Sequence, residues 1–280
     1  MKILIAASVL ILSFELSARQ IQKITFSYWE KPDIDIFYSS PKSINANTKL
    51  LFLMHGGSRA AEKYINDWIS LSKDRNVVLV APEFSEIYYP EYAYLMMSKE
   101  NGKPLNNESL YINNSLGLLF DFFKAKFKLS TSNYRLYGHS GGSQFVHRYL
   151  LLSNDTRIEK AAMANAGFYT FLDDKITYPF GTKKMKISDE RIKWFYRLKG
   201  GVFLGSADND SNHESLPRMR KARKQGKNRL ERGKNFFEDL VKYGVDNNLP
   251  FRWRFQIVSN VGHSNIGMSM AASEFLLEDL

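Results

Sequence analysis

Two short stretches, Leu50-Leu51-Phe52-Leu53-Met54 and Val77-Val78-Leu79-Val80, run apolar without a polar interruption. A strand with one wet face alternates polar and apolar residues, whereas a strand covered on both faces reads as a continuous apolar run, the habit of parallel sheets between helices. Between the two, Ala60 to Ser72 carries Tyr64, Ile65, Trp68, Ile69 and Leu71 mostly at helical spacing. That completes one strand, helix, strand unit. The order then repeats. Leu110 to Phe127, with Leu116, Leu119, Phe120, Phe123 and Phe127 at three- and four-residue steps, leads as a helix into the strand Tyr134 to Tyr137. A helical run follows over Gln144 to Leu152, and Lys160 to Ala164 and Gly201 to Gly205 supply two more short strands. A last strand is expected over Phe251 to Val258, where Phe251, Trp253, Phe255 and Ile257 alternate with Arg252, Arg254 and Gln256. Lys23 to Trp29 and Asp35 to Tyr38, parted by Lys31-Pro32-Asp33, read as antiparallel edge strands. The pattern predicts an α/β fold, a mostly parallel central sheet flanked by helices.

The 280 residues suit a single domain. Lys2 followed by an apolar run from Ile3 to Phe14 is too short to span a bilayer and fits a signal peptide, with cleavage after Ala18. The expected organisation is a leader over 1–18 and one domain over 19–280, secreted or periplasmic, touching a membrane only through an uncleaved leader. The chain has no cysteine, so neither disulfides nor thiolate metal sites are available. Two stretches rich in aromatic and turn residues, 85–109 and 168–194, fit the alternation poorly and read as loop insertions that wall a pocket. The net charge of +10 invites a nucleic-acid reading. Much of that excess, however, is concentrated between Pro217 and Lys234, where nine basic residues face only Glu231. A solvated helix face accounts for such a run, and no nucleic-acid partner is expected.

Gly138-His139-Ser140-Gly141-Gly142 lies between the strand ending at Tyr137 and the helix from Gln144. By composition a Gly-x-Ser-x-Gly pattern arises in roughly one chain in ten of this length, so the context decides. A strand, a tight turn and a helix form a nucleophile elbow, with glycines where a side chain would strike neighbouring backbone. The elbow lifts the Ser140 hydroxyl off the sheet and offers the Gly141 N–H to a developing oxyanion. His55-Gly56-Gly57 follows the strand Leu50 to Met54 where a second donor belongs; Gly57 is assigned, with Gly56 as the alternative.

A serine hydroxyl needs a base, usually a histidine held by a carboxylate, in the chain order serine, acid, histidine. Beyond Ser140 stand His147, His213 and His263. His147 lies about two helical turns past the nucleophile and reads as a packing residue, and His213 as a loop residue. His263, in Val261-Gly262-His263-Ser264 after the last strand, is the expected base. Asp208, just past the strand Gly201 to Gly205, is the expected acid; Asp210 is the alternative, read as making local turn hydrogen bonds. The spacing Asp208, Asp210, Asn212 lacks the turn glycine and closing glutamate of a calcium loop, so no metal is expected.

With these positions in view the chain resembles the α/β-hydrolases, and more narrowly the bacterial esterase and polyhydroxybutyrate-depolymerase-like members. The carrying residues are His55-Gly56-Gly57, Ala81-Pro82-Glu83-Phe84, Gly138 to Gly142, Gly205-Ser206-Ala207-Asp208 and Gly262-His263. The resemblance implies Ser140 as nucleophile, Asp208 as acid, His263 as base, Gly57 and Gly141 as oxyanion donors, and no cofactor. The expected activity is hydrolysis of a small or polymeric carboxylic ester through an acyl-enzyme. A serine peptidase or amidase, and a non-catalytic binding protein on the same scaffold, are the rival readings. The basic stretch from Pro217 to Lys234 departs from the family pattern and leaves the substrate open.

Overall fold

The computed structural model describes residues 19–280, so the expected leader lies outside the described residues. The strands are β1 (Ile21–Phe26), β2 (Ile34–Ser39), β3 (Lys49–Met54), β4 (Val77–Glu83), β5 (Tyr134–His139), β6 (Ile158–Ala164), β7 (Lys199–Gly205) and β8 (Arg254–Val258). They form one sheet in the spatial order β1, β2, β4, β3, β5, β6, β7, β8. β1 with β2 and β2 with β4 are antiparallel, and every other neighbouring pair is parallel. The helices are α1 (Ala61–Ile69), α2 (Ser115–Lys126), α3 (Gly141–Leu152), α4 (Asp189–Arg197), the single turn α5 (Arg220–Arg223), α6 (Arg229–Asp246) and α7 (Asn265–Leu277).

The unbroken apolar runs have a direct cause in the two-residue period of a strand. Leu50, Phe52 and Met54 of β3 with Val78 and Val80 of β4 enter the core under α2, α3, α4 and α6. Leu51, Leu53, Val77, Leu79 and Ala81 face the other way, into the core under α1 and α7. Each buried side chain of this kind contributes roughly 1.5–3 kcal/mol, so neither face admits a polar residue. On α1, Tyr64, Ile65 and Trp68 form the buried stripe that the sequence spacing predicts.

Three expectations change. β8 begins at Arg254, not Phe251. Gly200 leaves room over β7 that Trp253 fills, since a Cβ on Gly200 would stand 2.4 Å from the indole Cδ2, and the indole N–H donates to Phe195 O at 2.9 Å. Aromatic packing thus takes residues whose alternation suggested a strand. The stretch 168–194 is a loop only to its end, where Ser188 caps α4 by accepting from Arg191 N–H at 3.2 Å, and Asp189 and Glu190 suit the positive end of the helix dipole. The basic run is not one solvated face: Arg218, Arg220, Lys221, Arg223 and Lys224 are exposed, but Arg229 and Arg232, in the first turn of α6, are buried. Arg232 satisfies its guanidinium on Gly167 O at 2.6 Å and Gly226 O at 3.0 Å.

Candidate active site

Every residue singled out for chemistry leaves the C-terminal end of a parallel strand. Register brings them together: Met54 of β3 pairs with Gly138 of β5, His139 with Ala164 of β6, Ala164 with Phe203 of β7, and Gly205 with Val258 of β8. Ser140 stands alone between β5 and α3 at φ 56°, ψ −119°, a conformation that costs a non-glycine residue about 1–3 kcal/mol. Packing imposes it. A Cβ on Gly138 would lie 2.3 Å from Gly142 O, and one on Gly142 would lie 1.9 Å from Met54 O, so only glycine lets α3 turn this sharply against β3. The Ser140 N–H donates to Ala164 O at 3.0 Å.

His263 Nε2 lies 3.0 Å from Ser140 Oγ, and His263 Nδ1 lies 2.7 Å from Asp208 Oδ2. With Nδ1 protonated and donating to the carboxylate, Nε2 presents a lone pair to the serine hydroxyl. Burial, followed by the nearby Arg229 and His213 charges, lowers the His263 pKa, against the raising effect of Asp208. The outcome favours the neutral imidazole, the form able to accept a proton. Asp210 is exposed and accepts from Asn212 N–H at 2.7 Å, the local turn role read for it. His147 is buried, with its ring nitrogens on Ser143 O and Thr170 N–H at 2.9 and 3.0 Å. His213 is a loop residue as expected, but its ring lies edge-on to His263, centroids 5.4 Å apart. The ring of His139 lies 4.7 Å away on another side.

The Gly57 amide nitrogen lies 3.2 Å from where a Cβ on Gly141 would stand, which places both proposed oxyanion donors at the elbow. Gly141 opens α3, where an N–H has no intrahelical partner, and the Gly57 N–H meets no acceptor among the described residues. His55 braces this loop: Nδ1–H donates to Gly56 O at 2.9 Å and Nε2 accepts the Phe84 N–H at 3.1 Å. Burial pushes its pKa down to about 3, consistent with a neutral ring that donates and accepts at once. The Tyr92 ring lies tilted against it, centroids 4.6 Å apart, and its hydroxyl donates to His55 O.

Sequence reasoning missed Asn165. It sits at the end of β6 with φ 48°, accepts from Gly205 N–H at 2.9 Å and donates to Gly262 O at 3.2 Å, joining the acid strand to the histidine loop. The signal available was an asparagine at a strand exit, a residue that tolerates the left-handed region. The acid and histidine loops are also laced directly, Ala207 N–H to Val261 O and Asn260 N–H to Ser206 Oγ, at 2.9 and 2.8 Å. From Asp208 the chain runs on to Arg218, whose guanidinium donates to Asn212 O at 3.0 Å. Arg218, Arg220, Arg223 and Lys224 line a cavity of about 460 Å³, and among the described residues none of the four pairs with a carboxylate. A cavity of about 600 Å³ at the opposite end of the sheet, lined by Arg19, Asn45, Lys73 and Asn76, holds none of the groups above.

No family model and no curated protein matches the sequence. Solved structures do. Poly(aspartic acid) hydrolase-1 from Sphingomonas sp. KT-1 is 32% identical over 91% of this chain and 98% of its own, with a TM-score of 0.84. A poly(3-hydroxybutyrate) depolymerase from Bordetella parapertussis is 21% identical, covering 94% of this chain and 90% of its own, with a TM-score of 0.83. An S-formylglutathione hydrolase from Agrobacterium tumefaciens shares the fold at 13% identity, 93% and 96% coverage and a TM-score of 0.59.

Proposed function

Since the chain belongs to the α/β-hydrolase superfamily, among its hydrolases of the polyhydroxybutyrate-depolymerase-like and esterase kind, we propose that it is a serine hydrolase cleaving carboxylic esters. The observation that carries this reading is the continuous hydrogen-bonded line Asp208, His263, Ser140 at 2.7 and 3.0 Å. In the proposed cycle His263 Nε2 takes the Ser140 proton as Oγ attacks the ester carbonyl, while Asp208 holds Nδ1–H and steadies the imidazolium that forms. Gly57 and Gly141 N–H groups receive the oxyanion. His263 returns the proton to the leaving alcohol, and water, deprotonated by the same base, releases the acid and restores Ser140.

A second reading is amide hydrolysis in a polyanionic chain, since the same triad serves both bonds. The four cations that line one cavity without carboxylate partners among the described residues favour it, as does the 32% identity to an enzyme named for poly(aspartic acid). Ser140→Ala is expected to abolish release of a short-chain aryl alcohol from its ester while leaving circular dichroism and melting unchanged; retained turnover sinks the serine reading. Assaying the wild type in parallel on the neutral ester and on poly(aspartic acid) separates the two bonds.

A further inference from the structure

The basic run that no catalytic role absorbs sends one residue to the acid of the site. α6 lies close on β7 because Gly233 has no side chain: a Cβ there would lie 2.4 Å from Leu204 Cδ2. Arg229 precedes Gly233 by one helical turn, and Asp208 follows Leu204 just past the strand end. The helix-on-strand contact therefore aims Arg229 at the carboxylate. Leu230 N–H donates to Asp208 O at 3.2 Å, and Arg229 Nη1 stands 3.4 Å from Asp208 Oδ1, both side chains all but sealed from solvent. His263 uses Oδ2, so the arginine takes the oxygen that the histidine leaves. Arg229 Nη2 donates to Ser215 Oγ at 2.9 Å, and Ser215 Oγ meets His213 Nδ1 at 3.1 Å.

Resting on the serine-hydrolase reading, we propose that Arg229 is a positioning residue that clamps Asp208 through Oδ1 and keeps Oδ2 turned to His263. A carboxylate held at one oxygen only can rotate about its Cβ–Cγ bond, and each rotation breaks the bond to His263 Nδ1. A guanidinium anchored at Ser215 removes that freedom. Its charge also acts on His263 through space, opposing protonation, as burial and His213 do, while Asp208 favours it. The other groups facing the ring are His139, kept neutral by burial, and the uncharged Ser140.

The test follows His263 by NMR titration in the Ser140→Ala background, where turnover plays no part, alongside kinetics in the active enzyme. Arg229→Gln is expected to raise the His263 midpoint by about half a unit to one unit. It is also expected to lower kcat about tenfold, with KM within about twofold, because the clamp serves the proton transfer and not binding. Arg229→Lys keeps the charge but not the two-point anchor, and is expected to restore the midpoint and recover kcat only in part. An unchanged kcat in folded Arg229→Gln overturns the proposal, as does a rate loss that only tracks the unfolded fraction. If Arg229→Gln does not fold, Ser215→Ala at the exposed anchor decides, since it keeps the charge and frees the clamp: a lowered His263 midpoint with a partial loss of kcat supports the clamp, and an unchanged midpoint with unchanged kcat overturns it. Retained turnover in Ser140→Ala instead removes the serine-nucleophile reading and leaves the titration result standing as a statement about Asp208 and His263.

Discussion

Gly57 offers the sharpest residue-scale test of the oxyanion assignment, because its side chain and its N–H can be separated. Nothing lies within 4 Å of a Cβ built there, and its φ falls outside the left-handed range. Gly57→Ala is thus expected to keep melting temperature and kcat near wild type, whereas Gly57→Pro deletes the donor and lowers kcat by about 10²–10³; equal kinetics in both variants would remove Gly57 from the hole. The convergence of Ser140, Asp208 and His263 was legible because a short motif and a chain order describe them. Asn165 and Arg229 were not, because what defines them is contact: Asn165 with Gly205 and with Gly262, 40 and 97 residues on, and Arg229 with Asp208, 21 residues back. An isolated asparagine or one arginine in a basic run carries no local sign of such partners.

Elements whose burial pattern is uniform were read best, and those whose neighbours vary were read worst. β3 and β4 are covered on both faces along their length, so their sequence states their surroundings. β8 closes the sheet as an edge with Arg254, Gln256 and Ile257 exposed, and its alternation was borrowed from Phe251 and Trp253, which pack outside the strand. The loop stretches 85–109 and 168–194 owe their order to α3. Arg148, fully buried on that helix, donates to Ala93 O at 2.9 Å, Thr170 Oγ1 at 3.0 Å and Pro179 O at 3.3 Å, and lies 4.9 and 4.8 Å from the rings of Tyr94 and Phe168. Arg148→Met leaves Ala93 O without a donor and strips one bond each from Thr170 Oγ1 and Pro179 O, which stay bonded to each other at 2.6 Å, and is expected to lower unfolding free energy by about 3 kcal/mol in urea titration. An unchanged midpoint would mean that the loops hold themselves.

At the scale of the molecule, three fully buried histidines, His55, His139 and His147, have pKa values lowered chiefly by burial, His55 to about 3. The unfolded chain binds protons near pH 6.5, where the folded chain does not. Their neutral-state stability is complete above that pH and is lost progressively as pH falls toward the folded values. His55 alone then removes about 2 kcal/mol between pH 7 and pH 5, so the urea midpoint is expected to drop over that interval; a flat profile would show these rings charging inside the fold. The sequence by itself determined the sheet-and-helix alternation, the sharp turn at Ser140 and the chain order Ser140, Asp208, His263, because periodicity, glycine placement and chain order are local or one-dimensional. Only the tertiary structure decided which oxygen of Asp208 meets His263, that α6 sends a buried arginine to the other, and that Arg218, Arg220, Arg223 and Lys224 gather without carboxylate partners among the described residues on one cavity. Those depend on strand register and on helix-to-strand distance, and both are set by packing between residues far apart in the chain.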